Sequence, residues 1–235
     1  MYELYYWSEI PGRGEFVRLV LEDLGLRYRD VARHDPSAVE RALSTTLAPY
    51  AFAVPVLRDP AHDLVIAQTA AITRFLGERH GLAPADERGR LIALGVALTI
   101  ADLVAEVHDT HHPISVEQTY EQQKGAAAHR ARAFRKARLP KFLHYLEGLL
   151  GHDTTNNGPF LVGDRATYAD LTAMHVVDGL DYAFPRAMAK QRIPKLRALH
   201  DRIAARPRIA TYLASKRRLP FSEMDIFRHY PELDD

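Results

Sequence analysis

The chain has no cysteine among its 235 residues. That excludes disulfides, thiolate metal sites and every mechanism in which the protein supplies a catalytic thiol. Sulfur chemistry here requires a sulfur brought by a ligand. An excess of one charge is also missing: 31 lysines and arginines face 30 aspartates and glutamates. No global field therefore draws the chain to nucleic acid or to an anionic membrane. The apolar runs look too short to cross a bilayer, and the opening "MYELYY" has neither a basic nor an apolar leader segment. The expectation is a soluble, cytoplasmic protein whose partners are small molecules or other proteins. A dinucleotide fingerprint is lacking too. Gly12 and Gly14 are not followed by a third glycine or by the acid expected after a second strand.

What is present divides into two textures. Residues 2–7 read as a strand, 13–24 as an amphipathic helix closed by Gly25, 26–31 as a second strand, and 36–46 as a helix starting at Pro36. "FAVPVL" and "DLVIAQ", split by "RDPAHD", read as an antiparallel hairpin, and "TAAITRFLGERHG" as a helix ending at Gly81. The first part is thus βαβαββα. From "LAPADE" onward strand alternation vanishes and long helical patterns take over. Residues 86–112 and 117–150 predict two long helices, the second bent at Pro140. Thr167 and Asp170 stand at capping-box spacing, and shorter helices follow at 194–206 and 207–215. The expected domains are 1–81, a linker at 82–87, and an all-helical domain at 88–235 with an aperiodic tail able to pack over a cleft.

Five stretches in fixed order carry a family resemblance: "YYW…GRGEFVRLVLE" at 5–22, "VPVL" at 54–57, "IAQTAAITRFL" at 66–76, "FLVGDRATYADL" at 160–171 and "ARPRIATYLAS" at 205–215. Together they resemble the glutathione transferase family, in its cytosolic, tyrosine-type and bacterial form. The resemblance implies a thioredoxin-like α/β domain followed by an all-α domain, glutathione as co-substrate, a hydrophobic electrophile as second substrate, a homodimer and no metal. It implies transferase activity, with glutathione-dependent peroxidase or isomerase activity open. The alternatives on the same fold are a non-catalytic carrier of glutathione or apolar ligands and a protein-assembly subunit.

A thiol with a pKa of about 8.5 is mostly protonated at neutral pH, so an enzyme using a borrowed thiol must stabilise its anion. One hydroxyl donor and a helix N-terminus can do so. By resemblance the hydroxyl is that of Tyr6, with Ser8 as the alternative, and strand alternation puts both on one face. Arg13 matches the arginine that supports the anion, and Trp7 joins the glutathione site. Val54, before a cis Pro55, would pair with the cysteinyl backbone. Gln68 and Thr69 would hold the γ-glutamyl carboxylate at a helix start, and Asp102 would reach the γ-glutamyl amine across a dimer. The glycyl end departs from the family pattern: Ala53 replaces a glutamine, and no lysine or tryptophan occurs between residues 30 and 60. Arg33, His34 and Arg41 are the nearby cations. "HDTHH" places His108, His111 and His112 at a helix end, where lining a pocket or facing solvent outweighs binding a metal.

Overall fold

β-Branched and aromatic residues near the N-terminus form a four-stranded sheet, whose backbone groups pair in the order β2-β1-β3-β4. The computed structural model describes residues 1–151 and 158–235. Strand β1 (Tyr2–Tyr5) pairs in parallel with β2 (Tyr28–Asp30) and antiparallel with β3 (Val56–Asp59), which continues antiparallel into β4 (Leu64–Ala67). Alternation buries Tyr2 and Leu4 against α1 (Gly12–Leu24) and α3 (Thr69–His80), with Tyr6 following inward just past the strand. Gly25 and Gly81 close α1 and α3 in the left-handed region, at φ 66 and 80 degrees, where a side chain would be strained. The short α2 (Ala38–Ser44) completes the βαβαββα order.

Seven α-helices follow among the described residues, α4 (Glu87–Asp109), α5 (Tyr120–Ala133), α6 (Leu139–Leu149), α7 (Tyr168–Ala183), α8 (Pro185–Ala189), α9 (Pro194–Ala204) and α10 (Pro207–Leu213), before a largely irregular tail. Helix α7 lies at the centre and is buried over most of its length, packing on α1, α4 and α9. Its start is fixed by Asp170, which accepts from the Thr167 amide and hydroxyl and from the Leu161 amide at 2.7, 2.9 and 2.7 Å. Just before α4, the Leu82 carbonyl accepts the Tyr168 amide at 2.9 Å and ties the approach to α4 to the start of α7.

Two expectations need correction, and one short helix is new. The helix over 117–150 is two helices joined by a π turn, Phe134–Arg138. The break precedes Pro140 because a proline disturbs the carbonyl four residues before it, and the turn widens there. Helix α8, only five residues long, carries too little periodicity to be read from sequence. Helix α4 is, among the described residues, the one helix long and apolar enough to span a bilayer, with 23 residues that include an 18-residue stretch of mean hydropathy 1.8. One face packs on α3, α5 and α7, while Leu91 and Leu98 remain exposed.

Candidate active site

The chain leaves β1 at Tyr5, bends through Ser8–Pro11 and enters α1 at Gly12. Tyr6 lies under that helix start and is 5% exposed. Its Oη accepts the Arg13 backbone amide at 2.8 Å, while no acceptor among the described residues takes the phenol's own proton. Burial pushes the phenol up to about 12, against the lowering effect of the Arg13 amide. At neutral pH Tyr6 therefore stays protonated and can donate. Two glycines make this placement possible. A Cβ at Gly12 would lie 2.1 Å from the Tyr6 Oη, and one at Gly14 would lie 2.5 Å from the ring.

A cavity of about 910 Å³ opens beside this point, between the sheet edge and helices α3 and α4. It gathers six of the residues expected from sequence: Arg13, Val54, Pro55, Gln68, Thr69 and Asp102. Tyr6, Trp7 and Ser8 do not line it. Tyr6 sits behind the Arg13 backbone, and Trp7 is 39% exposed outside the cavity.

Each wall residue is held by its local backbone. The Val54–Pro55 peptide bond is cis, and Val54 precedes the ladder that starts at Val56. Gln68 has φ 73 and ψ 121 degrees, a strained backbone for a residue with a side chain. Thr69 opens α3, and its Oγ1 is buried without a hydrogen-bond partner. An unpaired buried hydroxyl at a helix N-terminus, inside a cavity, is suited to an anionic group. Arg13 brings a guanidinium with no side-chain hydrogen bond among the described residues, and Asp102 brings a carboxylate from α4. At the glycyl end, Arg33 pairs with Asp30 at 3.0 Å and Arg41 with Asp35 at 2.5 Å. Both are already engaged.

The sequence reading missed Asp225. This tail residue is 2% exposed, accepts the Gly12 amide at 2.9 Å, and has its second oxygen unpaired. Burial raises its carboxyl to about 6. No local signal could reveal a contact across 213 positions.

The family model for the glutathione S-transferase C-terminal domain matches residues 108–216. A glutathione S-transferase of Plasmodium falciparum is 27% identical, with 90% of this chain and 95% of that protein covered. Over most of its length the chain is similar to glutathione transferases. Glutathione S-transferase P 1 of Xenopus laevis is also 27% identical, over 92% of this chain and 93% of its own. A Pi-class glutathione S-transferase of Onchocerca volvulus superposes with a TM-score of 0.66 at 25% identity, covering 90% and 91% of the two chains. These relatives are eukaryotic, so they lend nothing to the bacterial affiliation. The family-model match falls on the helical part of this chain. The cavity and Tyr6 draw mainly on the α/β part, whose kinship rests on the full-length relatives.

Proposed function

We propose that this chain is a glutathione transferase-like enzyme in which the Tyr6 hydroxyl donates a hydrogen bond to the thiolate of bound glutathione. The thiol proton leaves to solvent, the sulfur lone pair forms a carbon–sulfur bond with an electrophile, and the leaving group departs with its electron pair. The observation that carries this reading is the Tyr6 phenol, protonated at neutral pH, anchored by the Arg13 amide and with its own hydrogen uncommitted. Such a donor lowers the thiol pKa by favouring its charged form, and the start of α1 adds partial positive charge. Arg13 supports the same anion.

Thr69 Oγ1, the Gln68 amide and the first turn of α3 suit the γ-glutamyl carboxylate, and Val54 suits the cysteinyl backbone in the manner of an added strand. Asp102 suits the γ-glutamyl amine. Phe16, Ile100 and Val104 give the cavity an apolar side fit for a hydrophobic second substrate. We also infer a cytosolic homodimer, with the exposed Leu91 and Leu98 of α4 covered by a second copy. Glutathione-dependent peroxidase or isomerase turnover uses the same thiolate and remains within this reading.

The test is ultraviolet difference spectroscopy of the glutathione-loaded protein across pH. A thiolate band at neutral pH that moves to higher pH in Tyr6→Phe, with glutathione still bound, supports the assignment. The absence of a neutral-pH thiolate band in the wild type refutes it, and loss of the band in Ser8→Ala but not Tyr6→Phe transfers the role to Ser8.

A further inference from the structure

The end of α4 carries a feature that glutathione conjugation does not use. At Asp109 the helix stops, and the His111 and His112 amides both turn back to the His108 carbonyl, at 3.2 and 3.1 Å. This tight turn gathers three imidazoles, with His108 and His112 stacked and His111 edge-on to both. The ring centroids lie 5.0 Å apart for His108 and His111, 5.2 Å for His108 and His112, and 4.9 Å for His111 and His112. One ring nitrogen from each histidine lies within 4.8 Å of the others.

Hydrogen bonding fixes which nitrogen of the central ring is free. His111 is 1% exposed, and its Nε2 meets the Ile226 carbonyl at 2.8 Å. A carbonyl only accepts, so Nε2 carries the hydrogen and the lone pair of the neutral ring sits on Nδ1. That lone pair points at the Nδ1 of His112, 2.6 Å away. A backbone carbonyl holding the far nitrogen of a ligand imidazole is the usual outer support of a metal-bound histidine. His108 makes no hydrogen bond through its ring to the described residues, so its lone pair is available as well. Burial, with Arg228 and Arg13 facing the group, pushes His108 down to about 4, burial pushes His111 down to about 3, and His112 is lowered too. All three are neutral at pH 7 and need lose no proton to ligate.

We propose that His108, His111 and His112 form a three-imidazole site for a borderline divalent transition ion of the Zn²⁺ type, clamping the end of α4 to the tail at Ile226. With Zn–N bonds of about 2.0–2.1 Å, an ion moves the two close nitrogens apart by less than about 1 Å, a shift the half-exposed His112 ring absorbs by rotation. Three protein ligands leave a fourth position for water or an anion. The positive charges of Arg228 and Arg13 favour an anionic fourth ligand. Because Ile226 adjoins Asp225, whose carboxylate holds the Gly12 amide, the clamp also steadies the tail against the start of α1.

The experiment uses the full chain, free of any affinity tag and stripped by chelator, titrated with Co²⁺ as the spectroscopic probe and then with Zn²⁺ in competition. One Co²⁺ per chain should bind with a saturable ligand-field band, displaced by Zn²⁺. His108→Gln and His112→Gln should each weaken binding by roughly tenfold or more, since even outer-shell losses act on that scale. Neither change touches the Ile226 bond, so both variants are expected to fold, which circular dichroism checks. A missing saturable band, or a band unaltered in both folded variants, overturns the proposal.

Discussion

A phenol held near pKa 12 does not serve as a base at neutral pH, so the contribution proposed for Tyr6 is one hydrogen bond to a charged sulfur. Such bonds contribute about 1.5–3 kcal/mol, roughly one to two pKa units on the thiol. Tyr6→Phe should therefore cut kcat at neutral pH by about ten- to a hundredfold, the deficit shrinking as pH rises toward the free thiol value of about 8.5. A pH–rate profile reads both effects. Thr69→Ala tests the opposite end of the tripeptide. Losing one charge-assisted bond there should raise KM for glutathione by roughly tenfold or more while sparing kcat. Gly14→Ala separates packing from chemistry. Alanine gains about 1 kcal/mol of helix propensity, but the new methyl lies 2.5 Å from the Tyr6 ring and overpacking costs about 1–3 kcal/mol. Turnover should fall far more than the unfolding midpoint, because the ring is displaced while α1 persists.

Helix starts and ends carry the next level of consequence. Asp170 satisfies two backbone amides and a hydroxyl at the mouth of α7, deep in the helical core, despite burial that raises its carboxyl to about 6. Asp170→Ala leaves the Leu161 and Thr167 amides unpaired and should destabilise folding by on the order of 3 kcal/mol, measured by urea denaturation. At the other end of the helical domain, the depressed values of His108 and His111 have a definite sign. The unfolded chain takes up protons on these rings below about 6.5, whereas the folded chain does so only near 4 and 3, so stability is lost as pH falls through that window. Asp170 and Asp225, raised to about 6, act in the opposite direction between about 6 and 4. Comparing the wild type with His111→Asn, with chelator present, isolates the histidine contribution. The variant should lose less stability than the wild type between pH 6.5 and 4.

At the scale of the molecule, the exposed side of α4 and the reach of the tail matter most. Leu91 and Leu98 are 60% and 50% exposed on a helix whose opposite face is core, and Phe52 is fully exposed near the same cavity. If a second copy covers this stripe, Leu98→Lys should shift the sedimentation coefficient to that of a monomer. The tail, without regular period, is nonetheless tied down at several points. Tyr230 stacks on Tyr120 at 3.8 Å, and Asp234 accepts the Arg186 and Ala187 amides at the start of α8. Glu147 does the same for α9 through the Lys195 and Leu196 amides. Three helices, α1, α8 and α9, thus have their N-terminal amides satisfied by carboxylates distant in sequence.

That pattern marks the boundary of what the sequence determined. Period-2 and period-3.6 patterning, glycines at Gly25 and Gly81 and the Thr167–Asp170 spacing are local signals, and they placed the strands and the long helices without reference to any other part of the chain. The wall residues Arg13, Val54, Gln68 and Thr69 stand in local motifs, whereas Asp102 was named only through its register with the family resemblance. Only the tertiary structure put Asp225 on α1, Ile226 on His111 and Tyr6 behind the Arg13 amide rather than in the cavity wall. Those contacts arise when packed helices bring distant carboxylates and carbonyls to unsatisfied donors. Hydrogen bonds of that kind leave no periodicity for a sequence to display.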